Sequence, residues 1–235
     1  AMGDPAGISP ELTAKLLALD EVHAAATLIV VGDRRVLEDG ARVAGVAPDV
    51  EVVGVDAPLP ERSTKAVLVD LGHLHPASVR PGEVARAGGL FAKENLLSAL
   101  ALAKAGVAHA VVFTPFNKSA MKLAVPTYDD EISFVANDIG FKGEAGEFNL
   151  LDGLWNARIT SHVPLAAVPG LLSVPVIVRG LELTDAAMSA AGFSPPRIAV
   201  AALNPHAGDN DNFGREGIDI IAPALDEREG RGMAC

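Results

Sequence analysis

Cysteine is nearly absent from this chain: Cys235 is the only one among 235 residues. That excludes any disulfide framework within the chain and fits a reducing compartment, the cytoplasm. Aromatic side chains are scarce too, with one Trp, one Tyr and eight Phe. Small aliphatic residues must fill the core, as suits helices laid tightly on a parallel sheet. No apolar run reaches the ~20 residues that span a bilayer, and no basic stretch followed by an apolar one opens the chain as a secretory signal would. Basic residues are outnumbered, 19 Lys and Arg against 30 Asp and Glu, for a formal charge of −11 with no basic block. This balance argues against nucleic acid and anionic membrane surfaces as partners. An anionic substrate would need local positive groups. Also missing is a Gly-x-Gly-x-x-Gly fingerprint after a strand, so no Rossmann nucleotide site is expected. Internal repeats, low-complexity segments and a clear linker are lacking as well.

What is present is an apolar share of 49%, enough for one large or two modest α/β domains with a sizeable core. Residues 1–11 read as a strand-to-helix loop, with Ser9 as cap, Pro10 at the first helical position and Glu11 favouring the positive helix end. The glycines there, Gly7 among them, let backbone approach a ligand closely; a tight turn opening a helix is the simpler reading. Strands are expected at Thr27–Val31, Val50–Val55, Lys65–Leu71, Val107–Phe113, Ala157–Thr160 and Ile198–Leu203, with another around Phe148–Leu151. Helices are expected after Ser9, over Arg34–Val43, along Glu83–Ala105, and at Ser119–Leu123, Ile132–Ile139, Leu165–Leu172, Thr184–Ala191 and Phe213–Gly230. Residues 72–82, with His73 and His75, form a loop whose histidines read as ordinary polar residues before metal ligands.

Two histidines stand where chemistry gathers in an open α/β sheet. His206 in Leu203-Asn204-Pro205-His206-Ala207-Gly208 follows one apolar run, and His162 in Ser161-His162-Val163-Pro164 follows another. Carboxyl ends of strands face the ligand crevice of such sheets. Neutral imidazole is the commonest side-chain ligand for zinc-like ions. Spacing alone equally allows two hydrogen-bonded structural histidines, which is the simpler reading. Asn204 and Asp209 are the nearest sequence candidates to orient His206. Lys118, after Thr114-Pro115-Phe116-Asn117, is expected where a phosphate or carboxylate could dock, although a lysine there is more often a solvated charge. Asp129-Asp130-Glu131 reads as an acidic helix start.

Four stretches together resemble the 4-hydroxythreonine-4-phosphate dehydrogenase family of vitamin B6 biosynthesis, relatives of the isopropylmalate and isocitrate dehydrogenases. They are Gly3-Asp4-Pro5-Ala6-Gly7-Ile8-Ser9-Pro10-Glu11, Thr114-Pro115-Phe116-Asn117-Lys118, Thr160-Ser161-His162-Val163-Pro164-Leu165, and Leu203 to Gly208 with Phe213-Gly214. Each is weak alone; order and spacing give the match its weight.

The resemblance implies an α/β fold: a two-domain α/β/α subunit with mostly parallel sheets, divided near residues 1–120 and 121–235. It implies a homodimer, with the metal ligands and dimer interface in the second domain and the active cleft between domains. The implied reaction oxidises a secondary alcohol with NAD or NADP and a divalent metal, zinc first, with magnesium, cobalt or manganese as alternatives. The leading substrate is 4-phosphooxy-threonine, whose β-keto acid product loses carbon dioxide. Phosphorylated sugar acids, aromatic cis-dihydrodiols and a catalytically silent binding protein are the alternatives. Carried over residue by residue, His162 and His206 hold the metal, and Lys118 and Asp4 serve catalysis. Asn117, Glu131 and Ile132 face substrate, while Gly7 and Asn204 face the cofactor. A third family histidine and the phosphate-binding residues are expected downstream of residue 235, so the sequence reads as part of a longer protein. Glu131-Ile132 stands where the family pattern has His-Thr. A carboxylate there repels phosphate or carboxylate and favours a hydroxyl or ammonium.

Overall fold

The computed structural model describes residues 1–60, 63 and 65–230; Cys235 lies outside them. The chain packs as two units, Ala1–Phe141 and Lys142–Cys235.

In the first unit, Ser9–Leu17 (α1) and Asp20–Ala25 (α2) lead into Ile29–Gly32 (β1), and Arg34–Ala44 (α3) follows. Val50–Gly54 (β2) and Ala66–Asp70 (β3) complete a parallel sheet in the order β1-β3-β2. Leu68 pairs with Val30 on one side and Val52 on the other. β3 is central and its apolar residues Ala66 to Val69 are all buried, the run of a strand covered on both faces. Leu68, with Met2, Val30, Leu37 and Phe91, forms the first core. The chain start extends this array: Met2 N donates to Val31 O at 3.0 Å, and Thr114 N donates to Ala1 O at 3.1 Å.

Arg86–Lys104 (α4), Lys118–Ala124 (α5) and Glu131–Ile139 (α6) finish the unit. Two glycines set how close its helices come. A Cβ on Gly40 of α3 would sit 2.3 Å from the Pro10 backbone of α1, and one on Gly89 of α4 would sit 1.9 Å from the Ala120 carbonyl of α5. Tyr128, Met121 and Ala92, with Phe134 and Phe116 against them, close a smaller core around α4, α5 and α6. Residues 121–141, expected with the second domain, therefore pack in the first unit.

The second unit holds a two-stranded antiparallel hairpin, Phe148–Leu151 (β4) and Leu154–Ala157 (β5). A 3₁₀ turn at Leu165–Ala167 passes into Val168–Leu171 (α7), and then come Val174–Ala190 (α8), a π-helical turn at Gly217–Ile221 and Ala222–Glu229 (α9). Ile177, Val178, Leu181 and Ala224 make its core.

Several expectations give way here. The run Ile198–Leu203 is not a strand: Ile198 and Val200 pack on the α8–α9 core instead, and periodicity alone cannot separate these fates for a short apolar run. Val107–Phe113 is assigned no strand, and Val112 and Phe113 are exposed rather than buried. The strand expected at Ala157–Thr160 ends at Ala157, as the second arm of the hairpin. The helix expected from Thr184 begins ten residues earlier by number, at Val174, with proline in its first turn. Its valines and isoleucine look strand-like, yet Ile177, Val178, Leu181 and Thr184 share one buried helical face. The helix expected over Phe213–Gly230 is regular only in its last part, and α2 was not foreseen.

Candidate functional site

The Gly3–Gly7 loop is held by side chains rather than by a cap. Ser9 was expected to cap α1, but the residue before the helix is Ile8 and no side chain caps it. The Ser9 hydroxyl accepts from Gly3 N at 2.7 Å and bonds the Thr114 hydroxyl at 2.6 Å. Gly3 N also reaches Thr114 Oγ1 at 3.0 Å, and Thr13 donates to Ser9 O at 2.8 Å. This buried hydroxyl cluster ties the first loop to the 114–117 loop, and sequence reading missed it, since lone Ser and Thr residues carry no spacing signal.

Asp4 is buried, 6% exposed. Its Oδ1 accepts from Ala6 N at 3.0 Å, the short turn typical of aspartate, and its own N–H donates to Pro115 O at 2.9 Å. A Cβ at Gly88 would lie 2.9 Å from that Oδ1. The glycine pair of α4 therefore seats Asp4 beside Gly88 and α5 beside Gly89. Gly7 stays exposed, and a Cβ there would meet only Asp4, at ordinary contact distances of 3.6 to 3.9 Å. Asn117 caps α5, accepting from Ala120 N at 3.1 Å, so its carbonyl oxygen is engaged and the cap aims Lys118, the first helical residue.

Lys118 is half exposed, and its Nζ stands 3.9 Å from Glu131 Oε2. Within the acidic run, Asp130 caps α6 by accepting from Ser133 N at 2.7 Å. Ile132, the residue after Glu131, is half buried. Tyr128 is the residue sequence reading overlooked. It is 3% exposed, packs on Phe134 at 5.7 Å, and its hydroxyl has no hydrogen-bond partner among the described residues. Burial first, then contact with Glu131 and the charges of Glu131 and Asp130, push its pKa above the ordinary phenol value. Being the only tyrosine in the chain, set beside three acids, was the available signal.

At the edge of the sheet, buried Asp33 caps α3 and collects bonds from Arg35 N, the Arg35 guanidinium and Leu74 N. Burial alone would raise its pKa, but the Arg35 side chain, the two backbone donors and the guanidinium charge hold it below the usual carboxylate range.

The second unit carries the two histidines, neither at a strand end. His162 and His206 are exposed and both have left-handed backbone, φ 56° and 52°. His206 opens a run of positive φ that continues through Asp211, a conformation non-glycine residues adopt at a cost. Asn204 does not turn to His206: its amide donates to Glu216 Oε2 at 2.8 Å. Asp209 accepts from Asn212 at 3.2 Å. Among the described residues no group of three His, Cys, Asp or Glu could hold a metal ion. Two imidazoles fall short of the three protein ligands of catalytic zinc, so the described residues do not make a metal site by themselves. Asp4, Gly7, Asn117, Lys118, Glu131 and Ile132 thus lie in the first unit, and His162, Asn204 and His206 in the second.

Residues 24–235 match the family described as Pyridoxal phosphate biosynthetic protein PdxA. The chain belongs to the PdxA family. A relative from Rhizobium meliloti with the provisional name 4-hydroxythreonine-4-phosphate dehydrogenase 2 is 55% identical over 233 residues, covering 99% of this chain and 67% of the relative. The D-threonate 4-phosphate dehydrogenase of Pectobacterium atrosepticum is 33% identical, over 99% of this chain and 71% of its own length. Among solved structures, a 4-hydroxythreonine-4-phosphate dehydrogenase from Klebsiella pneumoniae matches with a TM-score of 0.84 at 33% identity, covering 99% of this chain and 70% of that one. The α/β fold expected from sequence is thus the PdxA fold, and the chain is an oxidoreductase of the PdxA type.

Proposed function

We propose that this PdxA-type dehydrogenase oxidises the secondary alcohol of a phosphorylated four-carbon 3-hydroxy acid with NAD or NADP, 4-phosphooxy-threonine being the first candidate. The observation that carries the reading is the family match across residues 24–235. The knitted Gly3–Gly7 and Thr114–Lys118 loops supply a rigid base for it. In the reaction the carbinol C–H bond breaks as a hydride passes to the nicotinamide ring. The hydroxyl proton leaves to a base or water, and a ketone forms. Carbon dioxide then departs from the β-keto acid. Lys118 would donate a hydrogen bond to a substrate oxygen, Asn117 would fix the lysine through the helix it caps, and Glu131 with Ile132 would line the substrate. Asp4 would hold the loop in shape rather than move a proton, and Gly7 and Asn204 would lie against the cofactor.

His162 and His206 would supply two nitrogens to a divalent ion, zinc first, with a third ligand from outside the described residues. Such an ion lowers the pKa of a bound alcohol and polarises a ketone. A homodimer is supported by the apolar side chains the second unit leaves in solvent, Leu151 at 68% and Leu165 at 84% exposure. A division into two α/β domains fits the two packed units, and a cytoplasmic location fits the single cysteine.

The test is reduction of NAD and NADP by the purified full chain against three substrate classes. Turnover with phosphorylated four-carbon hydroxy acids is expected. Activity confined to sugar acids or aromatic cis-dihydrodiols would overturn the substrate class, and activity with none would overturn the reading.

A further inference from the structure

The turn that carries His206 runs against the handedness of L-amino acids. Every residue from His206 to Asp211 has positive φ, and left-handed residues ordinarily occur singly because their Cβ is crowded. Histidine, aspartate and asparagine tolerate this backbone better than most, which accounts for all the non-glycine members except Ala207. A strained stretch of this length persists only where its surroundings fix it.

Two contacts bracket the histidine. Two residues before it, the Asn204 amide donates to Glu216 Oε2 at 2.8 Å, a half-buried bond that ties the start of the loop to its end. One residue after it, the Ala207 carbonyl lies 3.0 Å from where a Cβ on Gly217 would stand, so the chain beyond Glu216 rests on Ala207. Between these contacts sits Gly214, where a Cβ would lie 2.4 Å from Glu216 Oε2 and 2.6 Å from the Asn204 amide nitrogen. Only a residue without a side chain lets that bond close. Arg215 adds a fork to Asp219 and a bond to Asp211, but exposed pairs of this kind contribute little. The Glu216 bond is therefore the main tie. It leads directly into the π-helical turn at Gly217–Ile221, a form frequent at functional sites.

We propose that Glu216 is a positioning residue: by holding the Asn204 amide it keeps the left-handed turn wound and sets where the His206 imidazole stands. A carboxylate only accepts, so Asn204 must turn its nitrogen to Glu216 and its carbonyl oxygen away. This inference rests on the proposed dehydrogenase reading, in which His206 and Asn204 serve the reaction.

The experiment measures kcat, KM and melting temperature for the native full chain, Glu216→Gln and Glu216→Met. Glutamine keeps an acceptor at the same reach, whereas methionine keeps the bulk and loses it. Glu216→Gln should turn over close to the native rate. Glu216→Met should lose kcat by about tenfold or more, with a much smaller change in KM for the hydroxy acid and a near-native melting temperature. Adding Ala207→Gly to Glu216→Met should recover part of the loss, because glycine takes a left-handed backbone without strain. Native turnover in Glu216→Met, a glutamine variant as slow as the methionine one, or no recovery with glycine at 207 would overturn the proposal. A Glu216→Met chain that does not fold would make the residue structural and overturn it too. If the native chain oxidises none of the substrates, the dehydrogenase reading fails separately, and hydrogen exchange judges the clamp. Residues 204–217 should then exchange at least about tenfold faster in Glu216→Met than in the native or glutamine chains, and equal exchange overturns it.

Discussion

Gly89→Ala sets two effects of opposite sign against each other. Gly89 is the fourth residue of α4, and inside a helix alanine is favoured over glycine by at most about 1 kcal/mol. Here, however, the new methyl would sit 1.9 Å from Ala120 O, 2.5 Å from Ala120 C and 3.0 Å from Met121 N. All three are backbone atoms of α5, which cannot rotate aside as a side chain end would. Overpacking of this kind costs about 1–3 kcal/mol, so the clash outweighs the propensity and a net loss of about 1–2 kcal/mol is expected. The strain is relieved by moving α5, and α5 begins at Lys118. Turnover should therefore fall along with stability. Urea unfolding and kcat/KM on one preparation read both. Gly170→Ala is the control, because that helical glycine has no atom within 4 Å of the added methyl; it should be neutral or stabilising. A Gly89→Ala protein as stable as the native one would refute the packing argument.

Asp33→Asn should destabilise by about 1–3 kcal/mol, through loss of the charge-assisted bonds of a buried carboxylate. Because the folded pKa lies below the unfolded value, this stabilisation is complete above the unfolded value of about 3.9 and fades as pH falls toward the folded one. Denaturation of both proteins across that acid range should show the stability gap closing, and a gap that widened in acid would contradict the sign. His206→Ala should leave the melting point nearly unchanged, since the ring is exposed, while turnover per folded molecule drops steeply. Near-native turnover would reject the ligand assignment.

The sheet was the most legible part of the chain. The short apolar run within Lys65–Leu71 was expected as a strand, and Ala66 to Val69 is the buried centre of the sheet. Caps were partly legible: the acidic run marked the start of α6, which Asp130 caps, whereas Asn117, read as a substrate contact, caps α5, and Ser9 was diverted to Gly3 and Thr114. That diversion depends on residues more than a hundred positions apart, beyond the reach of a local pattern. The second unit was read least well. Val174 to Val178 has strand-like composition and folds as helix, because an apolar face against Ala224 and Leu225 outweighs local preference. Ile198–Leu203 fails as a strand for the same reason. At the site, the Glu131 departure was visible in the sequence, but not that its carboxylate would stand opposite Lys118 with Tyr128 buried behind.

The most direct test of the central reading follows the hydrogen. A phosphorylated four-carbon hydroxy acid carrying deuterium on its carbinol carbon is incubated with the full chain and oxidised nicotinamide cofactor. The reduced cofactor is then weighed by mass spectrometry. Hydride transfer predicts that it gains the deuterium, with carbon dioxide released. Reduced cofactor without the label, or loss of the label to water, would contradict direct transfer from the carbinol carbon.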